Sequence, residues 1–191
     1  MTKLLIGLLL FLGSHSISIV ASSWRDRLVA RIGVLPWQGV YALLAIPGVV
    51  LIALGYAEAR LEPVVLYVPP LWLRSFTTML MLPVFPLLLA TYLPGMIKTA
   101  VQHPMLVAVK LWALAHLLAN GMLADVVLFG SLLAWAVVDR ISLKRRVPRK
   151  NPEATAGRWN DWIALGGGLV LYGLMLGGGH AWLTGMPLIL S

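Results

Sequence analysis

Four histidines, a lysine and an aspartate stand inside or beside runs that are otherwise hydrocarbon: His15, His103, His116, His180, Lys110 and Asp125. Ionisable groups within an apolar run are expensive and tend to mark function. Depth sorts the histidines. Counting back from Trp24 at 1.5 Å per helical residue puts His15 about 14 Å from the membrane surface, and counting forward from His103 puts His116 about 20 Å in. A hydrocarbon core about 30 Å thick holds both in its middle third. Two imidazoles at matching depth are what axial coordination of a haem iron requires. His103 precedes Pro104 at a helix start, and His180 falls about 30 Å along the last apolar run from Trp159. Those two are expected at the interfaces, in water or among lipid headgroups, and away from any iron.

The neighbours of His116 extend the reading. Folding the chain about Asn120–Gly121 as a short helical hairpin brings Asp125 opposite His116. A ligating histidine usually donates its other ring proton to a carboxylate or carbonyl, and Asp125 or Asn120 is a candidate acceptor. Lys110 lies seven residues after His103, on nearly the same helix face. It either snorkels toward the cytoplasm or neutralises an acidic group such as a haem propionate. The same residues also fit a purely structural role, in which His116, Asn120 and Asp125 form an interhelical hydrogen-bond cluster.

These groups need helices to hold them. The 191 residues are 60% hydrophobic and 12% charged, with a mean hydropathy of +0.88. A water-soluble domain of this size has too high a surface-to-volume ratio to hide so much apolar surface. Runs of about 17–25 apolar residues recur, enough to cross a bilayer as helices. The expected fold is an all-α, polytopic bundle forming a single domain over residues 1–191. Its six spans fall near Leu4–Val20, Gly39–Ala57, Ser75–Leu93, Pro104–Asn120, Met122–Val138 and Asp161–Trp182. "LEPVVLYVPP" carries three prolines and cannot be a helix interior; "LPG" at Leu93 and "NG" at Asn120 are stop signals. Pro83 and Pro86 should kink the third span. The glycines Gly166–Gly168, Gly173 and Gly177–Gly179 give the last span a smooth face for close packing. "MTKLLIGLLLFLG" has signal-peptide features, but the apolar run continues through "ISIVA" to membrane length, so a retained first span is expected.

Charge orients the chain. Eleven of its fifteen Lys and Arg residues fall in alternate connections on one side, and only Lys3, Arg60 and Arg74 on the other. The "LKRRVPRK" run, Leu143 to Lys150, is read as a solvated loop on the basic side. Both termini should therefore face away from the cytoplasm. Basic residues so distributed serve topology, and nucleic acid is not an expected partner. The chain has no cysteine, which excludes disulfides, thiolate ligands and thiol catalysis. No catalytic residue can be named.

Three stretches carry a family resemblance: "FLGSHSISIVASSWRDRLVARIG", "HPMLVAVKLWALAHLLANG" and "LWALAHLLANGMLADVVLFGSLLAWAVVDRISLKRR". They resemble the NnrU family of bacterial membrane proteins over nearly the whole chain. That family is associated with nitrite and nitric oxide reduction and is related to 15-cis-ζ-carotene isomerase, a membrane enzyme that uses haem b. The resemblance implies His15 and His116 as the haem ligands and a bacterial inner-membrane location. One departure stands out. The isomerase has a cysteine after the tryptophan of its second motif, whereas here Ala113 follows Trp112, so thiol ligand exchange is absent. The resemblance implies a haem b protein with a redox, sensing or isomerase-like role. Alternatives are a haem-dependent cis–trans isomerase of a carotenoid-like polyene and a non-enzymatic assembly factor for a denitrification reductase. His103–Pro104 also resembles part of an S-adenosylmethionine-binding motif of small membrane methyltransferases, but the expected downstream glutamates are missing. Lipid and haem are the expected partners; a nitrite or nitric oxide reductase system and a second copy of the chain are further candidates.

Overall fold

The computed structural model describes residues 1–146 and 156–186, and helix dominates them. Five helices are long and apolar enough to cross a membrane: Thr2–Val20, Val34–Ala59, Trp72–Tyr92, Leu123–Arg145 and Asn160–Thr184. Pro104–Ala119 is a shorter apolar helix. These six match the expected spans. Large apolar side chains such as Leu9, Leu43 and Val170 point outward, as lipid requires of a helix whose backbone polar groups are satisfied internally. The protein is an all-α membrane protein. Its helices divide between two compact units.

The first unit holds Met1–Pro69 and the segment from Asn120 through the helix that follows it. It contains α1 (Thr2–Val20), α2 (Ser22–Ile32), α3 (Val34–Ala59) and α8 (Leu123–Arg145). Helices α1 and α3 form its most extensive contact, and the sequence explains why. Gly7 of α1 faces Gly48 and Ile52 of α3, and Gly55 of α3 faces Leu4. Small residues let the backbones approach, which is how helices associate where no hydrophobic drive separates protein from lipid. Lys3 and Glu58 close the end of this pair with an exposed ion pair at 2.9 Å, worth little in stability.

The three-proline connection after α3 is non-helical, as expected, but it is not loose. Val65 makes an isolated antiparallel bridge with Met122. Leu66 and Tyr67 donate backbone N–H bonds to the Gly121 carbonyl at 2.8 and 3.2 Å, and Leu123 donates to Val64 at 2.8 Å. A Cβ on Gly121 would lie 1.8 Å from the Tyr67 carbonyl oxygen, so this turn admits no side chain.

Two features depart from the sequence expectation. Residues Ser22–Ile32 fold as α2 and not as a loop. Trp24, Leu28 and Ile32 recur every fourth residue and share one face, with Ser23 and Asp26 on the opposite one, the pattern of a helix lying in a membrane interface. Helix α8 also runs on to Arg145, where the basic run was read as loop from Leu143. Lys144 and Arg145 occupy its last turn, favourable at the negative end of a helix dipole. Arg146 then folds back onto Asp139 and the Ser18 carbonyl. The rest of the expected basic loop, Val147 to Lys150, lies outside the described residues.

The second unit holds Pro70–Ala119 and the last helices. Its elements are α4 (Trp72–Met81), α5 (Val84–Tyr92), α6 (Met96–Val101), α7 (Pro104–Ala119) and α9 (Asn160–Leu174). Helix α9 passes through a kinked turn, Met175–Gly179, into α10 (His180–Thr184). The third span breaks between α4 and α5 at Leu82–Pro83, because proline removes one hydrogen bond and its ring clashes with the preceding turn. Val84 and Leu87 of α5 pack on Ala108 of α7, with Leu111 and Trp112 beside them. Gly168 of α9 sits against Pro86, where a Cβ would stand 2.4 Å from the proline nitrogen. Asp161 caps α6, accepting from the Met96 and Ile97 N–H groups at 2.8 and 3.0 Å.

Candidate functional site

His15 lies in the first unit, on the face of α1 that meets α3 and α8. Its Nδ1 is 2.7 Å from the Phe11 carbonyl oxygen, one turn back. A carbonyl can only accept, so Nδ1 carries the proton and Nε2 the lone pair. The Phe11 ring stacks on the imidazole at 4.1 Å between centres. Tyr41 of α3 and Trp135 of α8 stand edge-on at 4.9 and 5.6 Å. An aromatic nest therefore holds the ring from three helical turns. The Trp135 indole nitrogen within it is buried with no acceptor among the described residues. An unmade hydrogen bond in such surroundings costs about 1–3 kcal/mol, and an acceptor on a bound group would remove that cost.

His116 lies in the second unit, on α7. Its Nδ1 is 2.8 Å from the Trp112 carbonyl oxygen, so here too Nε2 carries the lone pair. Trp112 is packed against the Val84–Leu87–Ala108 core, and its ring lies 5.1 Å from the imidazole. The position of His116 is thus set from the core outward. Ala113, where the related isomerase has cysteine, is fully buried.

The orienting acceptor of each histidine is a backbone carbonyl at i−4. Asp125 is used elsewhere. It is 2% exposed, accepts from the Tyr56 hydroxyl at 2.5 Å, and accepts from the Met122 N–H at 3.0 Å. It caps α8 and ties that helix to α3, inside the first unit. The Asn120 carbonyl accepts from the Tyr67 hydroxyl at 2.7 Å. Burial, then the Asp125 charge, raises the pKa of that phenol above its ordinary value of 10.0. Lys110 is partly buried on α7, and His103 is partly buried just before α7 begins. Depth counting had set His180, expected at an interface, apart from the candidate ligands. It lies on α10 with its ring 6.3 Å from that of His116. Only the glycine run before it hinted at a departure from straight helix.

A cavity of about 460 Å³ opens in the first unit among Met1, Glu58, Glu62, Val64 and Met122. None of the histidines lines it, and no chemistry is assigned to it. Among the described residues no group of three or more His, Asp or Glu side chains converges on a metal-binding point. A bare ion held by protein ligands alone is therefore disfavoured, since a closed zinc site takes four. The donor set present is partly buried imidazoles, each with Nδ1 spent on a backbone carbonyl. That set fits a metal whose remaining positions are filled by its own macrocycle, as in haem.

The fold and these residues define a membrane protein of apolar helices that carry partly buried histidines. The sequence model of one family, described as NnrU protein, matches residues 3–188, and the chain belongs to the NnrU family. No match was found among curated proteins or among solved structures.

Proposed function

We propose that this NnrU protein binds haem b through imidazole ligands in a bacterial inner membrane, with a redox or sensing role tied to nitrite and nitric oxide reduction. The observation that carries the reading is the shared anchoring of His15 and His116. Each spends its Nδ1 proton on the carbonyl one turn back, the arrangement that fixes tautomer and ring plane in ligating histidines. His116 Nε2 is the primary candidate ligand, and His15 Nε2 is the one the family resemblance adds. When bound, haem supplies one-electron chemistry at iron. The chain supplies the rest: the Trp112 and Phe11 carbonyls aim the rings, and the aromatic nest excludes water around His15. Lys110 would neutralise a haem propionate, while Asn120 and Asp125 hold the turn before α8, Asn120 through Tyr67 and Asp125 through Tyr56 and Met122. The eleven-to-three division of basic residues supports several crossings with both termini outside the cytoplasm. Ala113 removes the thiol that the related isomerase uses, which favours electron transfer or sensing over polyene isomerisation.

The test is the visible spectrum of protein purified in detergent from haem-replete cells. A Soret band with sharp, split visible bands on reduction is expected. His116→Ala should abolish the split bands. Protein that is colourless, and that gives no spectral response to added haemin, would overturn the reading.

A further inference from the structure

The last apolar helix does not run straight. Helix α9 ends at Leu174, and a kinked turn of five residues, Met175–Gly179, intervenes before α10 begins at His180. Within it Gly178 has φ 126°, a conformation that side-chain-bearing residues rarely adopt. Gly178 therefore kinks the chain, and the residues after it leave the path of α9. The first side chain after the kink is His180, and its ring lies beside that of His116: the ring centres are 6.3 Å apart with planes at 36°.

The two imidazoles are anchored by different means to the same end. His116 Nδ1 donates to the Trp112 carbonyl at 2.8 Å. His180 Nδ1 donates to the Met186 carbonyl at 2.8 Å, with the Thr184 hydroxyl 3.2 Å away. Both rings therefore present a lone pair on Nε2. A ligating nitrogen lies about 2.0–2.1 Å from its metal and roughly 1.2 Å from its own ring centre, so two imidazoles facing each other across one metal have centres roughly 6.4 Å apart. Plain ring packing covers a range that includes this distance. It gives no reason for both Nδ1 protons to be tied off so that both lone pairs fall on Nε2.

We propose that His180 is the second imidazole of the His116 metal site. The pair, on α7 and α10 of one unit, is a two-histidine clamp. Among the described residues no third protein ligand joins it, so it suits iron that brings four equatorial nitrogens of its own. The inference rests on the haem reading and deepens it, by naming the residue opposite His116.

The experiment compares visible spectra and midpoint potentials of haem-loaded wild type, His180→Ala, His180→Met and His15→Ala, all in detergent. His180→Ala is expected to lose the split visible bands of the reduced protein and to regain them with added imidazole. His180→Met is expected to stay six-coordinate with a potential shifted upward, as a thioether ligand shifts iron. The potential is the decisive readout, since a merely structural histidine would not move it. Wild-type spectra and potentials in both His180 variants would overturn the inference. So would loss of the split bands in His180→Ala without rescue by imidazole, joined to an unmoved potential in His180→Met. Loss of the bands in His15→Ala, with His180→Ala unchanged, would overturn it and leave the haem reading standing. Colourless wild type would overturn both.

Discussion

Gly48→Ala and Gly55→Ala place the same methyl group on the same face of α3, two turns apart, against different atoms of α1. A Cβ on Gly55 would stand 2.2 Å from the Leu4 backbone nitrogen, and one on Gly48 would stand 2.9 Å from that of Phe11. Contact tighter than 3.4 Å requires the neighbour to give, and in both cases the neighbour is backbone, which cannot swing aside. Helix α1 must therefore retreat, further at Gly55 than at Gly48. A radial gap of about 0.5–1 Å forfeits a quarter to a half of the dispersion well across a contact. Overpacking of this kind costs about 1–3 kcal/mol. Alanine's better helix propensity returns about 1 kcal/mol at either position. With about 2 kcal/mol of overpacking at Gly48 and about 3 kcal/mol at Gly55, Gly48→Ala should then lose about 1 kcal/mol net and Gly55→Ala about 2 kcal/mol. Gly13→Ala is the control, because its Cβ meets nothing within 4 Å, and it should gain up to about 1 kcal/mol. Equilibrium unfolding in a rising mole fraction of SDS, followed by far-UV circular dichroism, ranks the three. A second readout separates location from magnitude. Phe11 supplies the carbonyl that holds His15 Nδ1, so the ¹⁵N shifts of His15 should move in Gly48→Ala. They should hold in Gly55→Ala, about 10 Å further along α3. A loss at Gly48 equal to or greater than that at Gly55, or a loss at Gly13, would refute the packing argument.

Asp125→Ala leaves the Tyr56 hydroxyl and the Met122 N–H without their acceptor and should cost about 3 kcal/mol in the same unfolding assay; Tyr56→Phe, which removes one bond, should cost about 1.5 kcal/mol. If Asp125→Ala proves no worse than Tyr56→Phe, the aspartate is not the joint between α3 and α8. Asp161→Ala removes the side chain that accepts from both first N–H groups of α6, costing about 1–2 kcal/mol. Amide exchange at Met96 and Ile97 should quicken selectively, and unchanged exchange there would rule out the capping role.

The helices themselves were legible in the chain because the signals that set them are local. A run of apolar residues of membrane length, a proline that cannot donate, or an Asn-Gly pair acts on its own segment whatever the rest of the molecule does. The six apolar helices and the break at Pro83 follow from such terms alone. The α2 helix was missed for the opposite reason: its eleven residues alternate charge with hydrocarbon, and that reads as loop unless a membrane surface is supplied to bury one face.

The position of a histidine along its helix is likewise readable by counting, since rise per residue is nearly constant. Its direction is not. Azimuth accumulates about 100° per residue, and the kink at Gly178 redirects the chain before His180. Hydropathy cannot register such a kink, and three successive glycines permit either path. The partners of Asp125 show the same limit: Tyr56 is 69 residues away in the chain, and only the close α1–α3 approach and the turn under Tyr67 bring it to the carboxylate. The sequence by itself determined which residues lie in the apolar runs and how far along them, because those are properties of a segment. Which imidazole faces which was decided by tertiary structure, because facing depends on helical phase and on neighbours that no single segment contains.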